Sequence, residues 1–306
     1  MLNKRLHENK FKRAVGLLVR PVYKRLMPVH YVKSEYRYIT HHKCNLNNPV
    51  RYTEKLQYLR LYVYPKDPLV IKAAGRKTAR EYVKETIGEE YLIPSFGTYE
   101  RVEDIPADKL EYPCILKCTH ASSFNKIVYS PEELKSENLR KTFSKWLKTD
   151  YGKKTVERHY SKIKPEIIVE KLLLENNELP HEYKIHVFNG KAKNLYIVSG
   201  RGKDIRYDQF YIDWTPFPGS QFNGWLSSDK VPPKPANFDE MVKVAEKLAK
   251  PFPFVRVDLF SINNKIYFNE MTFTPAKGTL IFDDDQADFE QGEWLDISKY
   301  LKASAK

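Results

Sequence analysis

The sequence predicts an α+β protein of two or three lobes that begins with a helical region. Up to about residue 90, apolar residues recur at helical spacing, and beyond it short apolar strands alternate with helices. After residue 182, strands follow one another through tight turns. With 306 residues, of which 42% are hydrophobic, the chain is long enough to bury a sizeable core.

The first 90 residues are predicted to be helical. A basic amphipathic helix is expected to end near Pro28, and further helices are expected over TEKLQYLRLYV (53–63) and KTAREYVKETI (77–87), the second ended by Gly88. Between residues 1 and 26, Lys and Arg alternate with apolar residues at roughly helical spacing. We expect this first helix to dock on the protein's own core, with contact to a membrane surface as the alternative.

Beyond the helical region, the pattern predicts strands and helices in alternation. A short apolar run such as CILKC is typical of a strand, and Asn189-Gly190 between two such runs predicts a hairpin turn. The predicted strands lie in YLIPSFGTYE, YPCILKC, NKIVYS, EIIVEKLLL, KIHVFNGKAKNLYIVSG, QFYIDW, FVRVDLF and KIYFNEMTF. The predicted helices are PEELKSENLRKTFSKWLKTDYG, opened by Ser130 and Pro131, and FDEMVKVAEKLAK.

The charge balance narrows the class of partner. The sequence has 52 Lys and Arg against 39 Asp and Glu, which gives a net charge of +13 and a pI near 9.3. Such an excess attracts nucleic acid, anionic lipid, or phosphorylated and carboxylated substrates. No recognised nucleic-acid motif accompanies the charge, so we expect no nucleic-acid partner.

The sequence also predicts a compartment. It has no run of eighteen apolar residues, and its N-terminal segment lacks the features of a secretory signal. We therefore expect a cytoplasmic protein, with the inner face of the membrane as a second location. The three cysteines, Cys44, Cys114 and Cys118, cannot all pair, and two lie in an apolar strand where reduced core thiols are expected.

Three charged residues, Arg256, Asp258 and Glu270, lie within the last two apolar strands. A carboxylate that is buried without a partner costs several kcal/mol of folding free energy. Each of these carboxylates is therefore expected to meet a cation, a metal ion or a ligand.

The loop between these two strands decides whether the carboxylates meet. A two-residue loop would place Asp258 opposite Asn269, whereas a three-residue loop over 263–265 would place Asp258 opposite Glu270. We predict the longer loop, because it matches apolar with apolar and charged with charged or polar side chains. The predicted pairs are Ile262 with Ile266, Phe260 with Phe268, Asp258 with Glu270, and Arg256 with Thr272. Facing carboxylates, about 5 Å apart at Cβ, favour a bound divalent cation such as Mg²⁺, with a cluster of protein cations as the alternative.

The same residues resemble the magnesium-binding signature of ATP-grasp enzymes. Arg256-Val257-Asp258, a hairpin, Glu270-Met271-Thr272 and Pro275 follow one another as in that signature, with Thr272 where an Asn is usual. Other segments resemble the TupA-like ATP-grasp family, named for a teichuronopeptide biosynthesis protein, over about residues 45–300. These segments are KLQYLRLY, REYVKETIGEEYLIP, ILKCTH, VEKLL, EYKIHVFNGK and FPFVRVDLF.

The resemblance implies an ATP-grasp fold, in which a nucleotide lies between two α+β lobes. It implies a helical N-terminal region at 1–76, a central lobe with a phosphate-covering lid at 77–171, and a C-terminal lobe with a magnesium site at 172–306. The implied cofactors are ATP and Mg²⁺.

The resemblance also implies roles for individual residues. Arg256 and Lys184 are expected to act on the transferred phosphoryl group, and Asp258, Glu270 and Thr272 are expected to hold the metal. The expected nucleotide-binding residues are Lys77 and Lys117 for the phosphates; His120, Ser122, Ser123 and Asn125 in the lid; Glu170, Lys171 and Leu172 for adenine; and Glu175 or Glu178 for ribose. The alternative interpretation for Lys77 and the two ribose candidates is an ordinary solvated side chain.

One segment departs from the family pattern. The residues after Lys117 read THASSFNK (119–126), where the family usually has a glycine-rich HGSGGN-like lid. Ala121, Ser122, Ser123 and Phe124 replace the glycines, which restricts left-handed backbone conformations and close approach to phosphate. The departure therefore bears on the lid geometry and on turnover.

The implied activity is an ATP-dependent carboxylate-amine ligation through an acyl phosphate. The family suggests that an amino acid is joined to a sugar during bacterial surface polysaccharide synthesis, with small molecules or polysaccharide precursors as partners. One alternative is a glycosyltransferase of the same process, although Asp283-Asp284-Asp285 lies in a late polar loop rather than after a Rossmann-type strand. The other alternative is a non-catalytic, nucleotide-binding ATP-grasp relative.

Overall fold

Two antiparallel sheets form the framework of the protein in the computed structural model, which describes residues 20–217 and 224–303. The small sheet has the strand order β1-β4-β2-β3, and the large sheet has the order β7-β6-β5-β8-β9. The small sheet consists of Ser95–Tyr99 (β1), Cys114–Cys118 (β2), Asn125–Val128 (β3) and Ile167–Lys171 (β4). The large sheet consists of Glu182–Phe188 (β5), Lys191–Ser199 (β6), Arg206–Tyr211 (β7), Phe254–Ile262 (β8) and Lys265–Thr272 (β9).

Helices precede and flank the sheets. The helices are Pro28–Thr40 (α1), Tyr52–Tyr58 (α2), Pro68–Ala74 (α3), Arg76–Thr86 (α4), Pro131–Leu134 (α5), Glu137–Leu147 (α6), Tyr151–Thr155 (α7), Phe238–Ala249 (α8), Gln286–Trp294 (α9) and Ser298–Ala303 (α10). Helix α2 continues as a π-helical turn at Leu59–Val63. Short 3-10 turns lie at Tyr64–Lys66, Glu89–Tyr91, Val102–Asp104, Ala107–Lys109, Tyr160–Lys162 and Pro275–Gly278.

The small sheet has its own hydrophobic core on one face. Strand β2 alternates, so that Cys114, Leu116 and Cys118 are buried in this core while the intervening side chains point to the other face. Helix α6 contributes Leu139 and Phe143 to the same core. The opposite face of β2 is therefore free to form one wall of a cleft.

The large sheet shares a second core with helices from both ends of the chain. Every residue of β5 is buried, and α8 packs Met241 and Leu248 into this core. Tyr52 and Leu56 of α2 lie in the same core, so the helical N-terminal region packs against the large sheet. The domain boundaries expected at residues 76 and 171 stay predictions.

Most predicted elements are confirmed, and the differences lie among the helices. The single helix expected over 131–152 is three helices, because Ser136 caps α6 through a side-chain bond from the Leu139 amide and Asp150 caps α7. Helices α1, α3, α9 and α10 were not predicted as separate elements. Most of the basic segment for which membrane contact was considered, residues 1–19, lies outside the described residues. Within the described ranges, no helix is long and apolar enough to cross a membrane.

The hairpin between β8 and β9 brings the two carboxylates together by an unexpected route. The predicted three-residue loop is wrong, because Ile262 pairs with Lys265 across a two-residue turn in which Asn263 and Asn264 both have positive φ. A bulge at Asn269 then shifts the register by one residue. The predicted pairs of Asp258 with Glu270 and of Arg256 with Thr272 are therefore confirmed, whereas those nearer the turn are not.

Candidate active site

A cavity of about 410 Å³ lies between the two sheets. The small sheet contributes side chains of β2 and β3, and the large sheet contributes side chains of β5, β8 and β9. The volume falls in the range that encloses small ligands and cofactors. The cavity is lined by Arg76, Ile93, Ile115, Lys117, Ser122, Ser123, Asn125, Ile127, Lys171, Leu172, Leu173, Leu179, Pro180, Glu182, Lys184, Arg201, Gly202, Ile205, Phe260, Asn269 and Glu270.

Strand register gives the small-sheet wall a polar end and an apolar end. Lys117 pairs with Asn125 across β2 and β3, and the next pair on the same face is Ile115 with Ile127. Successive residues on one face of a strand lie about 6.6 Å apart, so the wall changes from cationic to apolar over a short distance. Leu172, which follows β4, also lines the cavity. Such a surface suits a ligand that has a negative group at one end and a flat apolar group at the other.

Charged residues on the large-sheet wall form a row across the strands. Glu270 of β9 faces Asp258 of β8, which in turn faces Lys184 of β5. Arg256 binds Asp258 through two hydrogen bonds, of 2.6 and 2.7 Å, and Lys184 donates another to the same carboxylate. Arg256 also donates to the Thr272 hydroxyl at 2.9 Å. The carboxylates are thus neutralised by protein cations, which is the alternative considered for the sequence.

The two carboxylates of this row differ in their access to solvent and in their acidity. The Asp258 side chain is fully buried, whereas the Glu270 side chain is 26% exposed and borders the cavity. Burial raises the pKa of Asp258, and the positive charges of Arg256 and Lys184 oppose that rise. Burial also acts on Glu270, but Arg76, Lys184 and Arg256 outweigh it and hold the pKa of Glu270 below its usual value. Glu270 is therefore the anionic side chain of this row that a ligand in the cavity can reach.

A chain of hydrogen bonds joins the two walls. Lys117 contacts Glu170 at 2.8 Å and donates to the side-chain oxygen of Asn269 at 3.1 Å. The Asn269 amide donates to Glu182 at 2.6 Å, and Arg201 forms an ion pair with Glu182 at 2.5 Å. The bulge in β9 thus places Asn269 where it links the small sheet to the large sheet.

Arg76, at the start of α4, joins the loop after β2 to the carboxylate row. One terminal nitrogen donates to the carbonyls of Cys118 and Ala121, each at 2.7 Å. The other terminal nitrogen lies 3.5 Å from Glu270. Arg76 therefore places a fixed positive charge at the polar end of the cavity.

The structure brings eight of the residues selected from the sequence to the cavity. These are Lys117, Ser122, Ser123, Asn125, Lys171, Leu172, Lys184 and Glu270. Arg256, Asp258 and Thr272 lie directly behind them in the hydrogen-bonded row. The roles expected for all these residues stay predictions.

Besides those three, four side chains of the predicted site do not line the cavity, and neither does Glu178, the second ribose candidate. Lys77 forms an ion pair with Glu166 at 3.0 Å, because it lies one residue further around α4 than Arg76. Glu170 is buried between Lys117 and Arg80, and Glu175 lies in a bridge with Glu178. His120 is also buried, and its Nε2 lies 3.1 Å from the Thr149 carbonyl. Contact of these four side chains with a nucleotide would require them to move.

Sequence reasoning missed several residues of the cavity wall. Alternation along β2 and β3 was the available signal for Ile115 and Ile127, since they share a face with Lys117. Arg76 is adjacent in sequence to the chosen Lys77. The rotation of α4 about its axis determines which of the two side chains points to the cavity. The other missed residues are Ile93, Leu173, Leu179, Pro180, Glu182, Phe260 and Asn269.

The donor set fits a magnesium ion in part. Glu270 offers a carboxylate at the cavity, and Mg²⁺ in nucleotide sites commonly takes one or two carboxylates together with phosphate oxygens. Asp258 would be available as a ligand only if Arg256 or Lys184 released one of its oxygens, since both oxygens are bonded. In the part of the chain that the structure describes, no three His, Cys, Asp or Glu side chains form a metal-binding group.

A model of the TupA-like ATP-grasp family matches residues 54–296 of the sequence. The chain belongs to the TupA-like ATP-grasp family. The resemblance drawn from the sequence motifs is thereby confirmed, and the two antiparallel sheets agree with the α+β architecture expected of an ATP-grasp protein. No curated protein matches the sequence.

Solved structures similar to this TupA-like protein include amino acid ligases. A D-alanine-D-alanine ligase from Bacillus anthracis complexed with ATP has 16% identity and a TM-score of 0.49, over 78% of this chain and 68% of that chain. Another structure of that ligase has 17% identity and a TM-score of 0.42, over 67% and 58% of the two chains. An L-amino acid ligase from Bacillus licheniformis has 13% identity and a TM-score of 0.44, over 69% and 45%. This chain thus spans 45% to 68% of those chains, and its assignment rests on the family model.

Proposed function

We propose that this protein is an ATP-dependent carboxylate-amine ligase that forms an amide through an acyl phosphate. The observation that carries the proposal is the cavity between the sheets, whose small-sheet wall changes from Lys117 and Asn125 to Ile115 and Ile127. ATP has the same division between a polyanionic tail and an aromatic base. Membership of the TupA-like ATP-grasp family supports the choice of ATP over other ligands of this shape.

We place the phosphates of ATP at the cationic end of the cavity. Lys117, Lys184 and Arg76 each bring a positive charge to this end, and hydrogen bonds from charged donors to phosphate are among the stronger ones in proteins. Adenine then lies against Ile115, Ile127 and Leu172. The observed cation of α4 is Arg76, so we assign it the contact that the sequence suggested for Lys77.

The reaction that follows is transfer of the γ-phosphoryl group to a substrate carboxylate. Bound Mg²⁺, held through Glu270 and through Asp258 once it is released, would neutralise the charge on the transferring group. Arg256 and Lys184 then stabilise the negative charge that develops on the phosphoryl oxygens, because both lie in the same row as Glu270. The acyl phosphate is attacked by an amine, which gives an amide, ADP and phosphate.

For the substrates, we propose an amino acid and a sugar of a bacterial surface polysaccharide, with reaction in the cytoplasm. The family name supports this class, and the net charge of +13 suits an acidic sugar or a nucleotide-linked precursor. Contact of the basic N-terminal segment with the inner face of the membrane is part of the same proposal.

A non-catalytic nucleotide-binding protein is the second candidate. Complete burial of Asp258 between Arg256 and Lys184 favours it, since a catalytic metal ligand needs an available oxygen. The two candidates differ in turnover and agree on nucleotide binding.

The test begins with binding and proceeds to turnover. We expect ADP with Mg²⁺ to raise the melting temperature of the protein more than UDP or GDP does. A larger increase with UDP or GDP would instead favour a glycosyltransferase. We then expect ADP release when the protein is supplied with amino acids and amino sugars, and loss of that release in Glu270→Gln. Exposed Glu85 provides the control variant Glu85→Gln, which should keep full activity. Full activity in Glu270→Gln would contradict the ligase proposal, and ADP binding without turnover would support the second candidate.

A further inference from the structure

The loop between β2 and β3, residues 119–124, is attached to the rest of the protein at both ends. Thr119 exchanges two bonds with Glu166, through its own amide and hydroxyl, each at 2.9 Å. The same hydroxyl donates to the Lys164 carbonyl at 2.6 Å. The Cys118 amide donates to the Phe124 carbonyl at 2.8 Å and closes the loop. The backbone of this segment is therefore fixed without a ligand.

Side chains attach the middle of the loop as well. The His120 ring lies 3.1 Å from the Thr149 carbonyl, and the Ala121 carbonyl accepts from Arg76 at 2.7 Å. These two contacts attach the loop to the turn before α7 and to the first residue of α4.

Phe124 is the main apolar anchor of the loop. Its ring stacks on Trp146 of α6, with centroids 4.9 Å apart and planes 12° apart. Tyr151 packs against it edge-on at 5.5 Å, and the Lys154 ammonium lies 5.6 Å from its centroid. A stacked aromatic pair stabilises the fold beyond the area that it buries. Phe124, one of the four residues that replace the glycines, thus holds the loop to helix α6.

The anchored loop presents polar groups to the cavity. Ser122, Ser123 and Asn125 line the cavity near Lys117 and Arg76. Ser123 has a φ of 63°, in the left-handed region that glycine would adopt most easily. A serine is held in that conformation here, because the anchors on either side fix the chain.

We propose that Phe124 and Trp146 are positioning residues that hold Ser122, Ser123 and Asn125 in a pre-formed cradle for the nucleotide phosphates. The inference rests on the proposed function, since it names the phosphates of the same nucleotide. Where the family usually has a glycine-rich lid, this chain has a loop that its own contacts hold in place. A loop that needs no ordering on binding loses less backbone entropy, so more of the contact energy is retained as affinity.

The test compares ADP with adenosine in variants of the anchor. In Phe124→Ser the loop loses its stack, and we expect the dissociation constant for ADP to rise about tenfold as the competent fraction of loops falls about tenfold. Adenosine affinity should stay unchanged, because adenosine lacks the phosphates that the loop contacts. Phe124→Tyr keeps an aromatic ring at this position and should restore ADP affinity, and Trp146→Leu should reproduce the defect from the other side of the stack.

Hydrogen exchange of the unliganded protein provides the second readout. In the wild type, the amides of Cys118 and Thr119, which bond to the Phe124 and Glu166 carbonyls, should exchange at least about tenfold more slowly than the amides of the exposed loop 200–205. Phe124→Ser should abolish the protection of the Cys118 amide. The exchange of β4 is the internal control for folding.

The outcomes separate the inference from the proposed function. ADP binding by the wild type with rapid exchange of the loop overturns the inference alone, as does an equal loss of ADP and adenosine affinity in Phe124→Ser. Absence of ADP binding by the wild type overturns the proposed function and the inference with it.

Discussion

The two walls of the cavity hold their polar groups in different ways. On the large sheet, Arg256 and Lys184 both donate to Asp258 and form a nearly closed cluster with it. On the small sheet, Ser123 and Asn125 are exposed to the cavity. The comparison indicates that the large sheet supplies a fixed electrostatic field, whereas the small sheet and its loop supply groups that a ligand contacts directly.

The difference follows from how each wall is supported. Asp258 lies in β8, an inner strand between β5 and β9, and its side chain is fully buried, so its charge must be balanced by other side chains. The loop that carries Ser123 lies at the edge of the four-stranded sheet and is held by anchors on its far side. The first arrangement is sensitive to the loss of one charge, and the second to the loss of an anchor.

The largest effect is expected from removing one charge from the closed cluster. Asp258→Asn leaves Arg256 and Lys184 buried without their shared carboxylate, and breaking a buried ion pair commonly costs about 3–5 kcal/mol of stability. Urea unfolding followed by circular dichroism measures the loss. Asp283→Asn, at an exposed aspartate, is the matched control and should leave stability nearly unchanged. A loss below about 1 kcal/mol in Asp258→Asn would contradict the closed cluster.

A smaller, pH-dependent effect on stability is expected at the buried carboxylate of Asp288, which is held mainly by hydrogen bonds from Thr53. Asp288 accepts hydrogen bonds from the Thr53 amide and hydroxyl at 2.9 and 2.7 Å, and Arg51 lies 3.6 Å away. Burial raises the pKa of Asp288 to about 6, from an ordinary value of 3.8. The folded state therefore holds this proton more tightly than the unfolded state, so the contribution of Asp288 to stability falls as pH rises from about 4 to 7.

Asp288→Asn measures that contribution. The stability of the wild type minus that of the variant should fall by about 1–3 kcal/mol between pH 4 and pH 7, measured by urea unfolding at each pH. Parallel pH profiles of the two proteins would show that Asp288 has no raised pKa. Such a result would mean that the hydrogen bonds from Thr53 offset the effect of burial on the Asp288 carboxylate.

The smallest effects are expected from substituting the two neighbouring cations of α4, Arg76 and Lys77. These substitutions test which of the two side chains contacts the nucleotide. Arg76→Met should lower ADP affinity by about tenfold, because Arg76 lines the polar end of the cavity. Lys77→Met should change ADP affinity little, because Lys77 is 44% exposed and pairs with Glu166. Isothermal titration calorimetry compares the two variants. A larger loss of ADP affinity in Lys77→Met than in Arg76→Met would indicate that Lys77 contacts the phosphates.

The sequence predicted much of the fold because its local signals agree with one another. The Asn189-Gly190 turn, the alternation of CILKC and the helix over 238–250 each appear in the structure. Three residues selected from the family motifs, Lys117, Lys184 and Glu270, line the cavity. These residues are charged side chains in apolar strands, a pattern that is visible without a structure.

Features that depend on several segments at once were harder to predict. The bulge at Asn269 is supported by bonds to Lys117 and Glu182 from two other strands, so the local sequence did not indicate it. The choice of Arg76 over Lys77 depends on the phase of α4, and one residue rotates a side chain by about 100° around a helix. The stack of Phe124 on Trp146 joins residues in a loop and a separate helix, and no periodic pattern connects them.

A crystal structure of this chain with ADP and Mg²⁺ tests the central claim most directly. We predict that the phosphates lie beside Lys117, Arg76 and Ser123, and that adenine contacts Ile115 and Ile127. Nucleotide bound outside the cavity between the sheets, or bound with adenine at the cationic end, would contradict the account.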